Sequence, residues 1–144
     1  MPLPAPEPGL VIPYAYLWRH EKHRGLEEGR KVRPAVIVLA VARGGAAGPL
    51  VTVVPVTHSA PTDVAAAMEL PARVKQALGL DDARSWIVLE EVNQFTWPGF
   101  DVRPVPRAAK HFHYGYLPPK LFTALTTRFV DLIRARRVRL VDRD

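Results

Sequence analysis

The stretch Lys31 to Ser59, KVRPAVIVLAVARGGAAGPLVTVVPVTHS, constrains the fold most. It holds two runs dense in β-branched residues, Ala35–Val41 and Leu50–Val56. Between them lies Ala42–Pro49, with three glycines and a proline. Dense Val and Ile bounded by Gly and Pro predict strand, turn, strand. Neither run alternates cleanly between apolar and polar, so both strands are expected to be buried on most of their faces. The polar residues sit at the outer ends: Arg30, Lys31 and Arg33 before the first strand, Thr57, His58 and Ser59 after the second. A hairpin brings these ends together, because antiparallel neighbours lie ~5 Å apart. A guanidinium, two hydroxyls and an imidazole on one rim of a rigid sheet make a plausible anion site.

The other elements are shorter. Met1–Pro8 holds four prolines and reads as an extended or disordered tail. Val11–Trp18 reads as a strand, with Pro13 placing it at an edge or a bulge. His20–Arg30 is polar, carries two glycines and is expected to be a long loop. Ala66–Leu70 suits a short strand, and Pro71–Leu78 a helix closed by Gly79. Ser85–Val92 is expected to be one strand, Thr96–Gly99 a turn and Phe100–Val105 a further strand. Leu121, Phe122, Leu125, Phe129, Leu132 and Ile133 follow a 3.6-residue period and predict a helix from Pro119 to about Arg136. The tail RRVRLVDRD can add one more strand. Short strands, turns and one amphipathic helix predict a mainly β chain with helices (α+β). The expected form is a small bent sheet or barrel with the helix over its open side.

At 144 residues the chain is expected to be one domain, residues 9–144 behind the tail. There is no cysteine, which excludes disulfides and thiolate chemistry. The start lacks a basic segment followed by an apolar one, and no apolar run reaches the ~20 residues of a membrane span. A cytoplasmic location, with no membrane partner, is the expectation. Twenty Lys and Arg against fourteen Asp and Glu give a net charge of +6, which favours polyanions or an acidic protein partner.

A set of motifs resembles the PemK/MazF-like toxins of bacterial toxin–antitoxin systems. They are Pro8-Gly9 before the first strand, Arg33-Pro34 before a Val/Ile run, and Pro55-Val56-Thr57 closing the second strand. A Leu-Pro and helix segment, the Ser85–Val92 strand and a C-terminal helix complete the likeness, which covers Gly9 to about Val105. The resemblance implies an SH3-like barrel and a homodimer held in check by an acidic antitoxin. It also implies metal-independent, cofactor-free cleavage of single-stranded RNA by its own 2′-hydroxyl. Arg33 and Thr57 match the family's catalytic pair, and His20-Glu21 resembles a His-Glu pair in the first loop of some members. The related CcdB toxins share the fold and act by binding, without catalysis. The loop from Trp18 to Arg33 is longer than the family pattern, and the strand region at Ser85–Val92 offers Glu90, Glu91 and Asn93 without a basic residue.

The chemistry of such cleavage assigns roles. Arg33, always charged and fork-shaped, suits the phosphate. Thr57 can donate to it or position the 2′-hydroxyl. An imidazole or a carboxyl exchanges protons far more readily than a guanidinium, so His58, His20 and Glu21 suit proton transfer. Arg30, Lys31, Ser59 and Asn93 are candidates for RNA contacts, and Phe95 and Trp97, beside a turn, for base stacking. Trp18, Trp86 and Phe112 are expected in the core. Arg128, Arg134, Arg136, Arg137 and Arg139 form a C-terminal basic cluster, either a solvated face or a phosphate track.

Overall fold

The computed structural model describes residues 3–23, 31–43, 48–99, 101–106 and 111–144. Eight strands form one curled, half-barrel sheet, mostly antiparallel, and a long C-terminal helix packs against it. The central hairpin is β2 (Val32–Val41) and β3 (Leu50–Thr57), in register from Ala35 opposite Pro55 to Val41 opposite Leu50. A bulge between Ile37 and Leu39 adds curvature. β1 (Leu10–Ala15) lies on the outer side of β2.

β1 is not an open edge at Pro13, as the sequence suggested. Pro13 stands opposite Pro34, and its carbonyl accepts from Arg103 N. Two prolines can face each other at a position where neither amide is called on by the other. Among the described residues of the strand expected over Phe100–Val105 there are only isolated bridges, one of them Val102 to Tyr14. Pro104 and Pro106 remove the amides that a longer ladder needs.

The one strand expected over Ser85–Val92 is two: β4 (Ala67–Glu69) pairs with β5 (Trp86–Val88), and β6 (Glu91–Thr96) is separate. Both β5 and β6 pair with β3, β5 at Val56–Thr57 and β6 at Leu50–Val53. The ladder breaks opposite Pro55, which has no N–H to donate. Leu89 in the break sends its amide to Ala66 O instead, at 2.8 Å.

The expected loop at His20 begins instead as a short helix, α1 (Arg19–His23). Glu21 explains it: its Oε1 accepts from Trp18 N at 3.0 Å and so caps the first turn. α2 (Ala72–Ala77) starts after Pro71 and ends at Gly79, whose φ of +71° suits the left-handed position there. β7 (Gly115–Tyr116), α3 (Pro119–Arg134) and β8 (Arg139–Asp142) complete the chain, β8 running parallel to β6. At the start, Gly9 at φ +93° turns the chain into β1, and Tyr116 Oη donates to Glu7 at 2.5 Å.

Both faces of the sheet are buried, which is why β2 and β3 do not alternate. One cluster joins Val36, Val54, Val56 and Ile87 to Leu125 and Leu132 of α3. The other, with Ile12, Tyr14, Ala35, Ile37, Val53 and Phe95, comes almost wholly from strands and fills the curl. Ile133, on the expected apolar stripe of α3, is half exposed. Among the described residues no helix is long and apolar enough to cross a membrane.

Candidate functional site

The site lies where β2 begins and β3 ends. Carrying the observed register two residues outward sets Arg33 opposite Thr57. Thr57 is opposite Trp86, Trp86 opposite Glu69, and Arg33 opposite Tyr14. Partners across strands share a face, so Glu69, Trp86 and Thr57 form one row and Arg33 and Tyr14 another, which the extended register joins. Lys31, Arg33, Thr57, His58 and Ser59 line a common cavity of about 320 Å³. Arg30 lies outside the described residues.

Arg33 is half-buried. Its guanidinium carbon lies 5.2 Å from the centroid of the Trp18 ring, within cation–π range. Its buried Nε has no hydrogen-bond partner among the described residues. Burial lowers its pKa from the ordinary value, while the Glu21 carboxylate and Tyr16 act the other way. The group remains a cation and keeps donors to offer an anion. Thr57 Oγ1 accepts from Ser59 N at 3.2 Å, the hydrogen bond of a strand-end turn. Its own hydroxyl hydrogen is still available to donate.

His58 follows Thr57 on the strand direction and faces α2. Its Nε2 stands 2.9 Å from Asp81 Oδ2. Asp81 also accepts from Lys75 Nζ at 2.5 Å, and that hydrogen bond, more than any other contact, holds its carboxyl below the usual range. Lys75 is 4% exposed. Its ammonium also donates to Ser85 Oγ at 2.7 Å and to the Ala83 carbonyl. Three acceptors match the three donors of an ammonium, so the buried charge is fully satisfied.

This clamp predicts a measurable effect. Lys75→Met takes the ammonium away from the buried Ser85 hydroxyl and from Asp81, at a cost of about 2–4 kcal/mol. The pH dependence follows from Asp81. Its folded pKa lies below its unfolded value, so its contribution is complete above the ordinary carboxylate pKa of ~4. It is lost as the pH falls through the lower folded value. Urea unfolding at pH 7 and near pH 3 should therefore show the gap between wild type and Lys75→Met shrinking in acid. An equal gap at both pH values would refute the Lys75–Asp81 coupling.

The remaining sequence candidates divide. Glu21 is buried on the Arg33 side, with Oε1 on the Trp18 amide. His20 is exposed, stacks on Trp18 at 6.4 Å between centroids, and lines a different cleft. Asn93 cannot reach a ligand. It is fully buried, its Oδ1 accepting from Leu17 N at 2.9 Å and its Nδ2 donating to Leu17 O at 2.8 Å. It ties the chain after β1 to β6. Phe95 is buried in the curl, 5.0 Å from Tyr14, and has no face to offer a base. Trp97 packs beside Phe95 at the opposite end of β3, past the pairing of Leu50 with Thr96. The turn signal at Thr96–Gly99 was real, but the turn is at the wrong end of the sheet.

Trp18 and Trp86, expected in the core, are only partly buried, and each carries an arginine on its ring. Arg84 lies 5.0 Å from the Trp86 centroid and is held by Glu69 through two 2.8 Å hydrogen bonds. The sequence also hid Lys75, Asp81 and Ser85. A lysine one residue from Val74 on an amphipathic helix gives no sign that it points inward. Among the described residues no group of His, Asp and Glu side chains is placed to hold a metal ion.

The arrangement presents a fixed guanidinium, a hydroxyl opposite it, and an imidazole and a carboxylate nearby. It can bind an anionic tetrahedral group and exchange a proton beside it. Comparisons with protein-family models, with curated proteins and with solved structures find no match to this chain.

Proposed function

We propose that the chain is a toxin-like, metal-independent endoribonuclease of PemK/MazF type, built on an SH3-like barrel. Its substrate is single-stranded RNA, its expected assembly a homodimer, its inhibitor an acidic antitoxin and its location cytoplasmic. One observation carries this reading. Arg33 is half-buried, steadied by Trp18, lacks a partner at Nε among the described residues and lines one cavity with Thr57. A structural arginine is ordinarily paired; this one is held in place with donors unspent.

The roles follow from geometry. Arg33 takes the phosphate through its fork and opposes the charge that develops as the 2′-oxygen attacks phosphorus. Thr57 donates to a phosphate oxygen or orients the 2′-hydroxyl. His58 shares the cavity with Thr57, is held by Asp81 and serves as the proton acceptor; Glu21 serves from the Trp18 side. His20, in another cleft, drops out of the proton-transfer set.

The test is incubation of a long single-stranded RNA with purified protein in EDTA, followed by end analysis. The expected products carry a 5′-hydroxyl and a 2′,3′-cyclic phosphate. Intact RNA, beside a ribonuclease control that cuts, would overturn the enzymatic reading and favour a toxin that acts by binding alone.

A further inference from the structure

The C-terminal basic cluster and the start of α1, remote in sequence, meet in one cleft of about 450 Å³. Arg19 and His20 line it from α1; Arg136, Arg137 and Arg139 line it from the turn after α3 and from β8. Glu90 and Glu91 also line it. Arg137 is paired with Asp63 and, at 3.4 Å, with Glu90. Glu91 accepts from the Tyr16 hydroxyl at 3.0 Å, and burial raises its carboxyl above the usual range. Among the described residues, Arg19, Arg136 and Arg139 have no carboxylate within ion-pair distance. Arg139 Nη1 donates to the Arg136 carbonyl at 3.1 Å, and Arg19 acts on Glu91 through its amide and its charge; with four guanidiniums against two carboxylates the lining keeps a net positive charge.

Arg136 adds an independent sign. It sits at φ +56°, the left-handed position that ends α3. Its amide donates to Ile133 O at 2.9 Å, and the Arg137 amide to Leu132 O at 2.9 Å. This is the helix ending that glycine makes without strain, as Gly79 does after α2. An arginine held there against its backbone preference points to a use for its side chain.

Trp18 links the cleft to the candidate site through its ring contacts. Trp18 stands between them, with Arg33 over its ring and His20 stacked on it, while α1 sends Glu21 to one side and Arg19 to the other. We propose that this cleft is a docking groove for the sugar-phosphate backbone of single-stranded RNA, continuing the strand away from Arg33 without reading its bases. This rests on the ribonuclease reading for the identity of the strand, while the groove itself can be tested without cleavage.

The probe is a fluorescently labelled 2′-O-methyl oligoribonucleotide, which lacks the attacking hydroxyl and reports binding alone. Its affinity is measured by anisotropy across a salt series for wild type and for Arg136→Gly combined with Arg139→Gln. Glycine suits the backbone at 136, so the variant should fold. Each lost phosphate contact lowers the slope of log affinity against log salt by about 0.7 on a single strand, so the pair should lower it by about 1.4. The loss should be equal on oligo-U and oligo-A.

A wild-type slope in the double variant, or no binding by wild type, overturns the groove. So does a variant that loses affinity for polyglutamate while keeping it for the oligonucleotide; the cleft then serves an acidic protein. Cleavage separates the two readings. A protein that binds with the expected slope change but leaves RNA intact keeps the groove and loses the ribonuclease. A protein that cuts RNA while the variant keeps the wild-type slope does the reverse.

Discussion

Arg33→Ala is expected to lower RNA cleavage by about 10²- to 10³-fold, the usual effect of removing one preorganised charge from a transition state. Arg33→Lys should recover little of it. Lysine keeps a charge but not the planar fork, and it stacks less well on Trp18. The measurement is the initial rate of cleavage of one RNA in EDTA for the three proteins, with thermal unfolding alongside. Because Arg33 also rests on Trp18, loss of stability must be separated from loss of chemistry, and Arg33→Lys does this by retaining most of the packing. Equal rates in wild type and Arg33→Ala would move the reaction away from the β2–β3 rim altogether.

The largest effect on stability is expected at a buried ion pair beside Tyr14. Arg143 and Asp101 form a two-pronged ion pair, with Nη2 to Oδ1 at 2.8 Å and Nε to Oδ2 at 3.1 Å. Their side chains are 6% and 8% exposed. The pair fastens the segment beside β1 to the end of β8, supported by Ala15 N to Asp101 O and Arg143 N to Gln94 O, each at 2.8 Å. Asp101→Ala takes the carboxylate away from both prongs of a buried guanidinium and should cost about 3–5 kcal/mol in urea unfolding. Replacing both, Asp101→Leu with Arg143→Met, should recover much of that loss, because it also removes the buried charge that the single variant leaves without this carboxylate. A double variant no better than the single one would mean that the segment depends on the hydrogen bonds themselves.

The hairpin and the C-terminal helix were legible because their signals are local. Val and Ile density, the Gly-Pro turn and the 3.6-residue period of Leu121 to Leu132 each lie within one element. The rim that joins Arg33 to Thr57 was legible for the same reason: a hairpin fixes which ends meet. Asn93 was misread because its two partners sit on Leu17, 76 residues away. A polar residue on a strand looks like a ligand contact until the backbone that satisfies it is in place. His20 and Glu21 are neighbours in sequence, yet the first turn of α1 sends them to different sites.

Local pattern along the chain set the strands around Val36 and Val54, the amphipathic helix, the basic charge and the rim that both candidate groups line. Long-range packing breaks the sheet opposite Pro55 and buries Lys75. It also joins Arg19 to Arg136 and Arg139 in one cleft. Periodicity and turn chemistry act over a few residues and are written in order along the chain. Burial of a charge, satisfaction of an amide and the field inside a cleft depend on groups brought together from distant segments, and a linear pattern does not carry them.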